Sequence, residues 1–480
     1  MVFSSVIFIF YFLPLFLLGY YLSGWRTGAL LAGSAVFYTW GEGPYVFLLL
    51  ALIGLNYAGA RSLDGLADPT RRRLALGALI AIDLSVLGWF KYAGFFAANL
   101  NALLPGDPLP AIDPRLPLGI SFFTFQLISY LFRRAPPPGD RGARPHPLRG
   151  LHPDVPAPDR GADRPLRPYP RRAARRPPPD GPDRPGHPVL HRRPVPEGAD
   201  RQFGGAFGRP RLRTRPPGSL DVGTAWLGML AYTLQIYFDF CGYSNMAIGL
   251  AFMLGFTFPK NFDYPYMARS VTEFWRRWHI SLSSWFRDYV YIPLGGNRGG
   301  AWKTVRNLLV VFLLTGFWHG AAWNFVVWGL FHGGFLLIER FGLGRVLERL
   351  PRAMATAYTL LAVMAGWVLF RDESLTEALR YWGALVDPAG VRALPVATQV
   401  VLDNQVLAAL ALGCVFAYPV LPWAMSRLNA PRLPPSPTLE ARLDTQAVHV
   451  LATPVLIAGL VLSVAYLAGS SLNPFLYFRF

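Results

Sequence analysis

The sequence predicts an all-α, polytopic membrane protein with about 10–12 membrane helices. The chain has 480 residues, of which 52% are hydrophobic and only 15% are charged, whereas about a quarter of the residues in a soluble chain are charged. Many apolar runs reach or approach the length of about 20 residues that a helix needs to cross a bilayer. These runs do not alternate in character as the strands of a membrane barrel do, so helices are expected.

The apolar runs give the order of the expected helices along the chain. They cover residues 3–22, 27–40, 44–60, 74–98, 118–132, 222–239, 243–257, 305–318, 321–341, 354–371, 403–425 and 448–469. The first run has no basic start and no small-residue cleavage site, which predicts a retained span rather than a signal peptide. Arg26, Arg61 and the run 71–73 lie in alternate connectors, so the positive-inside rule places the N-terminus outside and these connectors in the cytoplasm.

Residues 133–217 have a different composition from the rest of the chain. They include 20 arginines and 22 of the 44 prolines, and they contain no Lys, Ile, Met, Asn, Trp or Cys. Their net charge of about +12 makes up most of the +18 of the whole chain. Proline at this density prevents helix formation, and the segment cannot bury a core. The expected organisation is therefore membrane helices at 1–132, this Pro/Arg-rich segment, and a membrane core at 218–480.

Three interpretations of residues 133–217 compete. The segment could be a disordered basic loop that binds acidic lipid or nucleic acid, or a proline-rich linker. The third interpretation, which we favour, is a compensated pair of frameshifts, because the residues present have G/C-rich codons and the absent ones have A/T-rich codons. The composition also changes abruptly at both ends. Resequencing that confirms the reading frame across this segment contradicts the frameshift.

Three of the four histidines outside that segment lie between Asn261 and His332. Within this stretch, residues 270–273 read Ser-Val-Thr-Glu, the form of a capping box that starts a helix. Apolar and polar residues then recur every three or four positions to Tyr289, on opposite faces. The pattern predicts one amphipathic helix at the membrane interface. His279 falls on its polar face, either as a surface residue or as a catalytic or binding residue.

His319 lies thirteen residues beyond Arg306 in a strongly apolar run. If the run is helical, the imidazole lies about 20 Å deep in a hydrocarbon core of roughly 30 Å. Gly316 and Gly320 flank it, which permits close approach of another backbone or a local break in the helix. The residue could be a core histidine bonded to a neighbouring helix, but ionisable groups at this depth are rare and usually functional. A neutral imidazole there can accept a hydroxyl proton as a general base.

Other polar groups in the same part of the chain have less distinctive surroundings. His332 ends the following apolar run, where a helix-end histidine facing water is the simplest expectation. Asp239 is a carboxyl group in an apolar stretch and is expected to orient an imidazole or pair with an arginine such as Arg276. Residues 295–300, GGNRGG, could cradle a phosphate, although a simple turn is the plainer interpretation. Cys241 and Cys414 imply no disulfide framework, and no metal-ligand spacing is visible.

Six stretches of this sequence resemble the membrane-bound O-acyltransferase family, and within it the bacterial alginate O-acetyltransferase branch. They read GISFFTFQLISYL (119–131), QIYFDFCGYSNMAIGLAFMLGF (235–256), NFDYPYMARSVTEFWRRWHISLSSWFRDYVYIPLGGNR (261–298), GFWHGAAWNFVVWGLFHG (316–333), GWVLFR (366–371) and NPFLYFRF (473–480). The chain departs from the family at Cys241 and Asn245, where members commonly have Ser and Asp. It also departs at 133–217, where relatives carry membrane segments.

The resemblance implies a ring of helices around a tunnel in the bacterial cytoplasmic (inner) membrane. The donor would be an acyl thioester, acetyl-CoA or an acyl carrier, used as a substrate, and no bound cofactor, metal or nucleic acid is expected. The acceptor would be an extracytoplasmic polysaccharide or a periplasmic protein that relays the acyl group. His319 corresponds to the essential histidine of the family and His279 to a second important one. The remaining candidates are the arginines expected to hold donor phosphates (Arg276, Arg277, Arg287, Arg298) and the supporting residues Asp239, Trp318, Asn324 and His332.

Three alternatives to acetyl transfer remain open from the sequence. A related enzyme with similar motifs transfers D-alanyl groups to teichoic acid from a carrier-protein thioester. A polysaccharide or small-molecule transporter or flippase could use His319 and Asp239 to line a polar path and relay protons. Finally, the chain could be an inactive product, because residues 133–217 replace part of the expected tunnel wall.

Overall fold

A computed structural model describes residues 5–106, 108–134, 221–372, 374–387, 398–399, 402–428 and 446–469. Within these ranges the regular secondary structure is helical and contains no strand, which confirms the predicted all-α class. The Pro/Arg-rich segment beyond Arg134 and the motif at 473–480 lie outside the described residues. The three-part division of the chain therefore stays a prediction.

The N-terminal part forms five helices in the predicted order. A π-helical turn at Phe8–Phe12 runs directly into the first of them. They are α1 (Leu13–Leu22), α2 (Arg26–Glu42), α3 (Tyr45–Asp64), α4 (Pro69–Asn101) and α5 (Ile120–Arg134). Asp68 caps α4, since its carboxylate accepts a hydrogen bond from Thr70 N at 2.9 Å, and proline at the first helical position suits a helix start.

The second part begins with a long helix and contains most of the buried aromatic residues. Its helices are α6 (Val222–Met253), α7 (Val271–Arg277), α8 (Ile280–Phe286), α9 (Ala301–His319), α10 (Trp323–Ile338), α11 (Gly344–Arg349), α12 (Arg352–Arg371), α13 (Leu375–Val386), α14 (Asn404–Phe416), α15 (Val420–Leu428) and α16 (Gln446–Gly469). The expectation of separate spans at 222–239 and 243–257 was wrong, because α6 is one helix. The polar groups at that point have partners: Asn245 lies 3.5 Å from the Cys241 sulfur and Asn261 donates to Ser244 Oγ at 3.2 Å.

Four of the described helical segments are long and apolar enough to cross a membrane. They are Tyr45–Asp64, Pro69–Asn101, Trp323–Arg349 and Arg352–Arg371. Shorter apolar helices occur at Phe8–Leu22, Asn404–Phe416 and Leu456–Tyr466. The protein is accordingly a multi-pass membrane protein.

Helices α9 and α10 form a hairpin that packs backbone against backbone. A Cβ added to Gly316 of α9 would lie 2.3 Å from the Phe325 carbonyl oxygen, and one added to Gly329 of α10 would lie 2.2 Å from the Phe312 carbonyl oxygen. Small residues allow this close approach, which is how many helices pair within membranes. The predicted close approach at Gly316 is therefore confirmed, and it fixes the helix that carries His319.

The N-terminal helices contact the second part directly. Tyr20 OH donates to the Leu254 carbonyl at 2.9 Å, and Trp285 Nε1 of α8 donates to Ser129 Oγ of α5 at 2.9 Å. The indole of Trp285 also stacks on Phe125, with ring centroids 3.7 Å apart. Helices from both parts thus surround the stretch that contains the histidines.

Candidate functional site

His279 lies at a break between two short helices. The expectation of one continuous amphipathic helix was wrong, because α7 ends at Arg277 and α8 begins at Ile280. His279 has a left-handed backbone with φ of 44°, a conformation that costs a non-glycine residue about 1–3 kcal/mol. Its side chain is only 3% exposed, so the residue is not on a solvated polar face.

Asn261 holds the backbone at this break. Its carbonyl accepts from Ile280 N at 2.9 Å, and its side-chain oxygen accepts from Ser281 N at 3.1 Å and from Ser281 Oγ at 2.9 Å. His279 Nδ1 lies 3.4 Å from the same oxygen. His279 is outside the four spanning segments, and burial lowers the pKa of its imidazole to about 3. The ring is therefore neutral at neutral pH.

The start of α7 is held by two carboxylates. Ser270 Oγ accepts from Glu273 N at 2.9 Å, as the capping box predicts, but the Glu273 carboxylate accepts from Arg269 N at 2.9 Å. The buried carboxylate of Glu339 accepts from Val271 N at 2.6 Å and from Thr272 N at 2.9 Å. Because N-terminal N–H groups of a helix lack partners within it, these bonds anchor α7 to the end of α10.

His319 is the last residue of α9 and is 5% exposed. Its imidazole makes edge-to-face contacts with aromatic rings on three elements: Trp318 at 4.8 Å, Trp328 at 4.9 Å and Phe370 at 5.0 Å between centroids. Gly320 follows with an extended backbone, φ −171°. The helix therefore ends at the imidazole, and the chain turns into α10 immediately beyond it.

The structure brings His279 and His319 to the same place, where both imidazoles lie next to Trp318. The Trp318 ring centroid lies 6.2 Å from that of His279 and 4.8 Å from that of His319. Phe240 of α6 contacts His279 edge-to-face at 4.7 Å. Asp239, the residue before it, is buried. The arrangement is a pair of buried imidazoles surrounded by aromatic side chains.

Lys91 belongs to this site, although the sequence analysis missed it. Its amino group, from α4, donates a hydrogen bond to the Trp318 carbonyl and lies 3.3 Å from Ser121 Oγ and 5.6 Å from the centre of the Trp318 ring. A lysine inside an apolar span is an intramembrane ionisable group, and such groups are functional candidates by default. That argument could have identified Lys91 from the sequence.

His332 is not a helix-end residue facing water, so that expectation was wrong. It lies within α10, is 0% exposed and contacts Trp275 and Trp328 edge-to-face. Asn324, at the start of the same helix, donates to the carbonyls of Leu369 at 3.2 Å and Asp372 at 2.7 Å. Both side chains hold α10 in place among its neighbours.

The four candidate arginines have different surroundings. Arg277 forms ion pairs with Glu273 at 2.8 Å and with Asp263 at 3.8 Å. Arg287 is exposed and pairs with the adjacent Asp288 at 2.7 Å. Arg276 and Arg298 are exposed, and the Arg298 segment forms a turn. Arg277 therefore has a structural role in α7, and the exposed side chains are the ones open to a ligand.

No group of three or more His, Cys, Asp or Glu side chains could hold a metal ion among the residues that the structure describes. The described side chains at the site are two buried imidazoles, the Lys91 amine and the surrounding indoles. A neutral imidazole can accept a proton, and the functional assignments of the individual residues stay predictions.

Comparison with known proteins identifies the family. The family model described as "MBOAT, membrane-bound O-acyltransferase family" matches residues 212–367. A "Probable alginate O-acetylase" of Azotobacter vinelandii is 37% identical over 530 residues, covering 100% of both chains. The protein of that name from Pseudomonas aeruginosa is 40% identical over 414 residues, covering 80% of this chain and 75% of its own. A "Peptidoglycan O-acetyltransferase" of Helicobacter pylori is 31% identical over 439 residues, covering 82% and 81%.

The matched region contains both buried imidazoles, Trp318 and the helices that hold them. The relatives also extend the similarity over the N-terminal helices that contact this region. By these matches, the chain belongs to the membrane-bound O-acyltransferase family.

Proposed function

We propose that the protein transfers an acetyl group from a cytoplasmic thioester to a hydroxyl group of an extracytoplasmic polysaccharide, either directly or through a periplasmic relay protein. The observation that carries this proposal is the imidazole of His319, buried at the end of α9 beside His279. Relatives named for alginate and peptidoglycan O-acetylation support the polysaccharide as acceptor. The membrane would be the bacterial cytoplasmic membrane, which separates a thioester pool from surface polymers.

His319 acts as the general base in this proposal. Its neutral imidazole takes the proton of the acceptor hydroxyl while the hydroxyl oxygen attacks the thioester carbonyl carbon. The tetrahedral intermediate then breaks its C–S bond, and the proton passes to the departing thiolate. The products are an O-acetyl ester and a free thiol. His279 lies next to Trp318 and positions the acceptor or the donor.

In this proposal, positively charged arginine side chains bind the acyl donor. Arg276, Arg287 and Arg298 are exposed, and guanidinium groups bind phosphate oxygens with paired hydrogen bonds. A donor with a phosphate-bearing carrier group, such as acetyl-CoA, fits them. Acetyl-CoA and a D-alanyl carrier thioester are distinguished by offering each to the full chain in proteoliposomes and measuring which acyl group is transferred.

The test of the base is His319→Ala in the full chain, expressed in a host that makes the polysaccharide but cannot acetylate it. We expect the acetyl content of the polymer, measured by NMR, to fall by about 10²–10⁴-fold, the usual contribution of a general base. His332→Gln is the matched control, because it also removes a buried imidazole, but one that lies in the middle of α10. Acetyl content that is unchanged in His319→Ala, at equal protein level, contradicts acyl transfer by this residue and favours a transporter.

A further inference from the structure

The carbonyl groups at the C-terminal end of α9 need hydrogen-bond donors from outside the helix. The last carbonyls of any helix lack partners within it, and in apolar surroundings each unsatisfied carbonyl costs several kcal/mol. In this protein those carbonyls belong to the turn that carries His319, and the backbone leaves the helix at Gly320. Whatever satisfies them also determines where the imidazole lies.

Two consecutive residues of α4 satisfy two consecutive carbonyls of this turn. Tyr92 OH donates to the Phe317 carbonyl at 2.8 Å, and its ring stacks on that of Phe317 with centroids 4.2 Å apart. The Lys91 amine donates to the Trp318 carbonyl. The Trp318 carbonyl belongs to the peptide bond that joins Trp318 to His319, so Lys91 is bonded to the peptide group that immediately precedes the His319 α-carbon.

The amine has two further contacts at this position. It lies 5.6 Å from the centre of the Trp318 ring. Ser121 of α5, 3.3 Å away, gives the amine another oxygen partner. Lys91 thus joins α4, α5 and α9 at one point, next to the imidazole.

We propose that Lys91 is a positioning residue for His319: by holding the Trp318 carbonyl, its amine fixes the backbone that aims the imidazole at the acceptor hydroxyl. The inference rests on the proposed role of His319 as the base. It assigns to Lys91 an effect on the rate of transfer and not on the binding of donor or acceptor, because the amine contacts the protein backbone.

The experiment compares Lys91→Met, Lys91→Arg and Tyr92→Phe in the full chain, reconstituted in proteoliposomes with acetyl-CoA and a soluble oligosaccharide acceptor. Lys91→Met keeps the apolar part of the side chain and removes the amine that donates the hydrogen bond. We expect kcat to fall by about 100-fold, the effect of misplacing a reacting group by about 1 Å, with KM for donor and acceptor nearly unchanged. Lys91→Arg keeps an N–H hydrogen-bond donor and should retain kcat within about tenfold of the wild type.

Tyr92→Phe is the matched control, because it removes the neighbouring carbonyl's hydrogen bond and keeps the ring stacked on Phe317. The proposal is supported if Lys91→Met lowers kcat more than Tyr92→Phe does and if Lys91→Arg restores kcat. A kcat for Lys91→Met within about twofold of the wild type, or a rise in KM alone, overturns it. If Lys91→Met does not accumulate, Lys91→Arg decides: a folded arginine variant as inactive as His319→Ala overturns the proposal. Activity that survives in His319→Ala refutes the role of the base, whatever the Lys91 variants show.

Discussion

The hairpin of α9 and α10 allows a quantitative prediction for Gly316→Ala. The added Cβ would lie 2.3 Å from the Phe325 carbonyl oxygen and 3.2 Å from Gly329. Real Cβ atoms essentially never come closer than 3.0 Å to another heavy atom. The helices must therefore move apart by about 0.7 Å, the difference between these distances. Backbone atoms form the obstacle, so no side chain can rotate to relieve it.

This displacement has two expected consequences. Overpacking of this kind costs about 1–3 kcal/mol, which exceeds the gain of up to about 1 kcal/mol from replacing glycine by alanine in a helix. His319 lies one turn further along α9, and misplacing a reacting group by about 1 Å costs about 100-fold in rate. We therefore expect Gly316→Ala to lower both the apparent Tm and kcat, the latter by about tenfold or more.

The assay measures apparent Tm in detergent by the loss of the monodisperse peak on size exclusion, and kcat in proteoliposomes. Gly334→Ala is the matched control in α10, because a Cβ there would meet no heavy atom within 4 Å. It should keep wild-type kcat and keep or raise Tm. If Gly316→Ala matches Gly334→Ala in both measurements, the close packing of α9 on α10 does not hold His319, and the reasoning is refuted.

Two further predictions concern the carboxylates that hold α7. Glu339→Gln weakens the charge-assisted hydrogen bonds to the first two N–H groups of α7 and should lower the stability by about 1–3 kcal/mol, seen as a lower apparent Tm; an unchanged Tm contradicts the anchoring role. Burial tends to raise the pKa of Glu273, but the N–H of Arg269 and the guanidinium of Arg277 outweigh it and leave the pKa below its ordinary value. The Glu273 carboxylate therefore stabilises the fold at pH values above the ordinary pKa of a glutamate. This stabilisation is lost as the pH falls through the lowered pKa of the folded protein. The Tm difference between wild type and Glu273→Gln should be largest near pH 7 and should shrink below about pH 4; a difference independent of pH contradicts this assignment.

Local patterns in the sequence predicted much of this site. Apolar length identified the spans, the Ser270 capping box marked the start of α7, and Gly316 indicated close helix packing. These features depend on residues near each other in the chain. The break at His279 was not predictable in that way, because it depends on hydrogen bonds that Ser281 donates to Asn261, which lies before α7.

The burial of His332 likewise depends on a distant residue. His332 was expected at the end of an apolar run, yet α10 continues to Ile338. The imidazole fits because Gly366 of α12 has no side chain; a Cβ there would lie 2.6 Å from His332 Nε2. The contact of Lys91 with Trp318 joins residues 227 positions apart, and no periodicity in either helix indicates the other.

The contacts of α4 and α5 with α8 and α9 also bear on how much the chain can vary in length. Tyr92, Lys91 and Ser129 meet their partners through direct hydrogen bonds, so the halves of the protein are aligned by matching surfaces. A change of one residue in the length of α4 would rotate Lys91 and Tyr92 away from α9.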